Sequence, residues 1–361
     1  MGTSDTSWEV AHWLESGGAT NDLSILKLKD KYGNAFALRR AREGEIFEDP
    51  EILKLSDKSG WTVAHIQAGR GWTTENPEIL RLHNGDGWTV AHMQAEREWT
   101  TEDVDILKLA DREGRTVAHV QARHWRTEDV ELLKLANHNG LTVAHEQAKR
   151  GWRTEDPEIL KLANHGGWTI AHIQAERGWT TEDPEILKLA NNDGWTVAHA
   201  QARYTDWTTE DPEILKLADH DGWTVAHVQA RHGWTTEDPK ILELACRDGY
   251  TVAHVQVGSG WETEDPEILK LADRHGHTVA HIQAFYGWTT ENLEILRLAR
   301  NDGWTVAHEQ ADEGWVTENF EVLKLSNVDG WTVAYVQAKH GWTAKDPEVV
   351  ALMSRPQRII S

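Results

Sequence analysis

Asn192-Asp193-Gly194-Trp195-Thr196-Val197-Ala198-His199, followed by Gln201-Ala202 and by Thr209-Glu210-Asp211-Pro212-Glu213-Ile214-Leu215-Lys216-Leu217-Ala218, is one copy of a unit that fills the chain. Aligned on His199, the other copies fall at His12, Leu38, His65, His92, His119, His145, His172, His227, His254, His281, His308 and Tyr335, stepping by 26 to 28 residues. A fixed period of this size marks units that cannot bury their apolar faces alone and must stack on their neighbours. The reading is an all-α, helix-turn-helix repeat solenoid of thirteen units.

Each copy divides into two short helices. Thr196 stands where an N-cap belongs, and Val197, Ala198, Ala200 and Ala202 offer small apolar surface at helical spacing. Asp211 then precedes Pro212, which a helix tolerates only in its first turn, and Ile214, Leu215 and Leu217 supply the bulk of the second apolar face. The glycine before the cap recurs from Gly60 to Gly330, which calls for a backbone of positive φ. Helices of about 8 to 10 residues are expected, too short to stand without stacking.

No linker or low-complexity segment interrupts residues 1–361, so a single repeat domain is expected. Its residues 1–59 read as divergent N-terminal capping units, with Phe36-Ala37-Leu38 in place of the Thr-Val-Ala-His run; 60–334 read as regular repeats and 335–361 as a C-terminal cap. The lone Cys246 excludes an intramolecular disulfide. Neither a signal sequence in Met1 to Asp22 nor a membrane-length apolar run is evident, and a cytoplasmic protein is expected. The net charge of -22, from 37 basic and 59 acidic side chains, repels nucleic acid and anionic membranes and attracts a basic protein.

Asp193-Gly194-Trp195-Thr196-Val197-Ala198-His199, Ala202, and Glu213-Ile214-Leu215-Lys216-Leu217 resemble the ankyrin repeat pattern of Asp-Gly-x-Thr-Pro-Leu-His, Ala, and Glu-Ile-Val-Lys-Leu-Leu. The resemblance runs over nearly the whole chain and is to a shortened repeat without the projecting β-hairpin. It implies a right-handed superhelix and a structural role for the Thr/His pair. A weaker resemblance links Glu155-Asp156-Pro157-Glu158-Ile159-Leu160-Lys161-Leu162-Ala163-Asn164-His165-Gly166-Gly167 to the TAL-effector repeat. There Trp168-Thr169 replace the Lys-Gln beside the phosphates, so DNA reading is not expected.

Histidines one repeat apart should lie near the helix packing distance of roughly 10 Å, whereas two nitrogens on one zinc lie within about 3.5 Å. No metal, cofactor or catalytic constellation is therefore expected. Tryptophans form two columns. That of Trp72, Trp99, Trp125, Trp152, Trp179, Trp207, Trp234, Trp261, Trp288, Trp315 and Trp342 survives changes of loop length and reads as core. That of Trp61, Trp88, Trp168, Trp195, Trp223, Trp304 and Trp331, with Tyr250 in register, gives way to Arg115, Leu141 and His277 and reads as partly exposed. On the second helix, Lys216 follows Glu213 at ion-pair spacing, and Lys240 with Glu243 exchanges the signs, which favours pairing within the helix over a phosphate-tracking ladder.

Variation concentrates in two loops, one holding His138, His220, Arg247 and Arg274, the other holding pairs such as Arg231-His232 and Phe285-Tyr286. Varied positions on a constant scaffold are how repeat proteins encode a partner. The expectation is a non-catalytic protein-binding scaffold that uses the turn edge and the exposed aromatic column. Self-assembly into filaments and an acidic decoy of a nucleic-acid-binding protein are the competing readings.

Overall fold

The computed structural model describes residues 23–29 and 33–354. It is an all-α repeat solenoid with 25 helices among the described residues, twelve of the first kind and thirteen of the second. The first helix expected around His12 and the tail beyond Ser354 lie outside the described residues. The chain divides into two compact units, Met1–Gln174 and Ala175–Ser361, each a stack of the same repeat.

Helices are shorter than expected. First helices run from five residues, Val117–Gln121, to eight, Val197–Tyr204. Second helices such as Pro212–Leu215 have only four, the last of the chain, Pro347–Leu352, having six. The second helix stops because Ala218 is needed in extended form, as the antiparallel partner of Thr224 in the next repeat. One such isolated bridge recurs at every turn from Lys29↔Ala35 to Ser326↔Thr332, so the shortened repeat keeps the closing pair of a hairpin without a strand.

Local signals in the sequence set these ends. Thr196 accepts from the His199 N–H at the start of one helix, and Asp211 accepts from the Glu213 N–H at the start of the next, with Pro212 at the first helical position. Gly194 has φ +79°, and a Cβ there would lie 2.9 Å from the His220 backbone nitrogen of the following turn, so conformation and space both demand glycine. The carboxamide of Asn191 accepts from the Asp193 and Trp195 N–H groups at 2.9 Å, folding the turn before the cap.

Core residues come from both helices. Val197, Ala198 and Ala202 of one repeat, with Ile214 and Leu215 of its second helix, are at most 2% exposed. Small side chains on the first helices let successive repeats approach closely, while the branched second-helix residues fill the space behind them. At the N-terminal end Leu38 replaces histidine and is fully buried, and Ala35 replaces the cap threonine without a side-chain cap. At the other end the Thr332 hydroxyl donates to the Leu352 carbonyl at 2.6 Å.

Candidate interaction surface

Three repeated polar columns are spent inside the stack. In each of ten repeats the histidine Nδ1 lies 2.6–2.7 Å from the cap threonine hydroxyl. It also accepts the threonine backbone N–H, at 3.1 Å in the Thr196–His199 pair. Because Nδ1 accepts, the proton sits on Nε2, which in nine of these repeats donates to a carbonyl of the next repeat, as His199 does to Trp223 at 3.0 Å and His65 to Trp88 at 3.0 Å. Burial opposes protonation and holds His65, His92, His227, His281 and His308 at about 4. Among the described residues no cluster of three or more His, Cys, Asp or Glu could hold a metal ion.

Glutamine forms the second column, and its role was not read from the sequence. Gln201 accepts from the Thr181 N–H at 2.9 Å and donates to the Thr181 carbonyl at 3.2 Å, clamping the extended loop of the preceding repeat. Gln94, Gln121, Gln256 and Gln283 hold Thr74, Thr101, Thr236 and Thr263 in the same way. Recurrence of a buried amide, twenty residues from its partner, was the available signal.

The turns themselves form the third. His138 and His220 donate their backbone N–H to Glu113 and Asp193 of the preceding turn, at 2.8 and 2.9 Å. Arg247 and Arg274 do the same to Asp221 and Asp248, and their guanidinium groups reach the same two carboxylates. All four side chains are exposed at the turn edge, and the two arginines are already engaged in solvent-facing ion pairs.

The aromatic column expected to be partly exposed is half-buried. Trp61, Trp88, Trp168, Trp195, Trp223, Tyr250 and Trp304 each lie with ring centroid 4.7–5.6 Å from the histidine four residues on, and Trp331 lies 4.7 Å from Tyr335. Where Arg115 takes this position its guanidinium stacks 4.4 Å from the Trp88 ring. The other column differs from the expected core: only Trp152 and Trp207 are buried, and the rest are half-buried against the core edge. Its indoles sit where their N–H can reach water or a carboxylate, as Trp207 Nε1 donates to Glu182 at 2.9 Å and Trp99 Nε1 to Glu75 at 3.3 Å. Burial thus does not separate the two columns.

Pairing on the second helix also extends beyond the expectation. Lys270 meets Glu267 on its own helix at 3.2 Å and Glu294 of the next repeat at 2.7 Å. Lys54 repeats this with Glu51 and Glu78, and Lys134 reaches Glu158. The exposed pairs bridge repeats as well as helix turns.

These features define an all-α tandem-repeat protein whose recurring polar residues hold the stack and whose varied residues face outward. Among solved structures, the chain is similar to the ankyrin repeat domain of Bcl-3, described as a unique member of the IkappaB protein family. The identity is 12% and the TM-score 0.22, over 70% of this chain and 95% of that one. No family model and no curated protein matches. Among the described residues no helix is long and apolar enough to cross a membrane.

Proposed function

We propose that the chain is a non-catalytic scaffold that binds a protein along its turn edge and aromatic column. One observation carries the reading. Threonine, histidine and glutamine, the polar residues that recur, are consumed by bonds within and between repeats, while the exposed residues at the turns and first-helix ends are the ones that differ. Exposed, varied side chains on a rigid constant frame suit recognition. The acidic net charge favours a basic partner and disfavours nucleic acid.

The test is a crosslinking capture from nuclease-treated lysate, with Trp168→Ala, Trp195→Ala and Trp223→Ala as a combined variant whose helicity is checked by circular dichroism. A partner retained at high salt and lost with the folded variant supports the scaffold. Basic proteins held only at low salt would replace it with the acidic decoy, and recovery of the chain alone would replace it with self-assembly.

A further inference from the structure

Between two repeats of the second unit lies a cleft of about 370 Å³ lined by Trp195, Arg203, Asp219, Trp223, Val228, Arg231 and His232. Its walls are the half-buried indoles of Trp195 and Trp223, and its apolar floor includes Val228, which is 7% exposed. Two exposed guanidinium groups, one from each first-helix end, stand at it.

The cations are not occupied as their counterparts are. At the same register, Arg123 has Glu96 at 3.9 Å, Lys149 has Glu146 at 3.4 Å and Lys339 has Asp312 at 3.4 Å. Among the described residues Arg203 and Arg231 have no carboxylate within 4.0 Å, and the charge of Glu176 on the preceding repeat acts on Arg203 only from beyond that distance. Arg203 instead lies with its guanidinium carbon 6.0 Å from the Trp195 ring centroid and 5.4 Å from that of Tyr204. Contact with ring faces leaves the in-plane N–H donors open, in the fork that matches a carboxylate. The one carboxylate in the cleft, Asp219, is turned to the backbone, its Oδ1 accepting from Asp221 and Trp223 at 2.9 Å.

The combination does not recur where the same walls do. Beside Trp61 and Trp88 the corresponding helix ends carry Gly69 and Glu96, and beside Trp304 and Trp331 they carry Asp312 and Lys339. A chain of net charge -22 thus places two cations without a carboxylate in ion-pair contact and two indoles around one opening.

We propose that this cleft binds a carboxylate carried on a flat apolar body. Arg203 and Arg231 take the carboxylate, and Trp195, Trp223 and Val228 take the body. Such a group arises as the C-terminal residue of a peptide chain or as a small aromatic acid. The proposal shares Trp195 and Trp223 with the scaffold reading but does not rest on it, because it concerns one cleft and one chemical group.

Isothermal titration of the full chain with acetyl-Gly-Gly-Phe as free acid, the same peptide as its amide, and 3-phenylpropionate tests it. Arg203→Gln with Arg231→Gln serves as the variant, since both side chains are exposed and their loss leaves the core untouched. Saturable binding of a free acid, weakened at least about tenfold by amidation and by the paired variant, is expected from the loss of charge-assisted bonds. Tighter binding of the peptide acid than of 3-phenylpropionate assigns the site to a chain terminus, and the reverse order assigns it to a small acid. No binding of either acid up to about 10 mM, a free energy of only about 3 kcal/mol, overturns the proposal. So does equal binding of the amide, or unchanged binding by the variant. None of these results bears on the capture experiment, whose partner is read from the lysate and from the three tryptophans.

Discussion

Acid should unfold this protein at a pH where ordinary carboxylates are still ionised, and the histidine column sets the amount. His65, His92, His227, His281 and His308 are held at about 4 by burial, against roughly 6.5 in an unfolded chain. His119, His145 and His254 are lowered for the same reason. Above about pH 6.5 both states keep these rings neutral and nothing is lost. Below it the unfolded chain takes up protons that the fold refuses, so stability falls as the pH drops toward 4, by about 1.4 kcal/mol per histidine per pH unit. From pH 7 to pH 5 each of the five loses about 2 kcal/mol, and the three in the second unit together lose about 6 kcal/mol. A typical domain has roughly 5–15 kcal/mol in total. Urea titrations followed by far-UV circular dichroism at pH 7, 6 and 5 measure this, and the midpoint should collapse across the series. His227→Gln should lower the pH slope by about one proton's worth. A midpoint unchanged between pH 7 and pH 5 would refute the burial of neutral imidazoles.

Other perturbations follow from single positions. Glu98 has φ +68° where the preceding repeat has Gly71 at φ +96°, so Glu98→Gly should raise stability by about 0.5–1 kcal/mol, read as a higher urea midpoint. Gln256→Met strips the Thr236 backbone of both its bonds and should cost about 2 kcal/mol. Gln310 is 1% exposed and neither amide atom is bonded among the described residues, so Gln310→Met should be neutral or stabilising in the same assay. Exchanging Lys240→Glu with Glu243→Lys restores the sign pattern that lets Lys270 reach Glu294. It should add about 0.5 kcal/mol, vanishing at 1 M salt, as thermal melts at two salt concentrations would show.

What the sequence made legible was what acts within a few residues. Thr196, Gly194 and the Asp211-Pro212 pair declare their roles by type and order, and all three are found in them. What escaped depends on partners a repeat away. The second helix stops at Leu215 because Ala218 pairs with Thr224, a constraint absent from the helical pattern of Ile214, Leu215 and Leu217. Gln201 meets Thr181 twenty residues back, and Lys54 meets Glu78 twenty-four residues on, both beyond any local window. The tryptophan columns were separable by tolerance to substitution but not by burial, because a ring that covers the core edge needs its position kept while half its surface stays wet. The cleft between Trp195 and Trp223 required the stack, since Arg203 and Arg231 are twenty-eight residues apart in sequence.

The fold, and the function proposed from it, both rest on the repeated histidines being spent inside the stack. Long-range proton–nitrogen correlation spectra of the imidazole rings at pH 7 test this directly. Ten histidines should be neutral, with the proton on Nε2, Nδ1 accepting, and ring N–H groups that exchange slowly with water. Imidazolium rings, or a proton on Nδ1 in these ten positions, would contradict it.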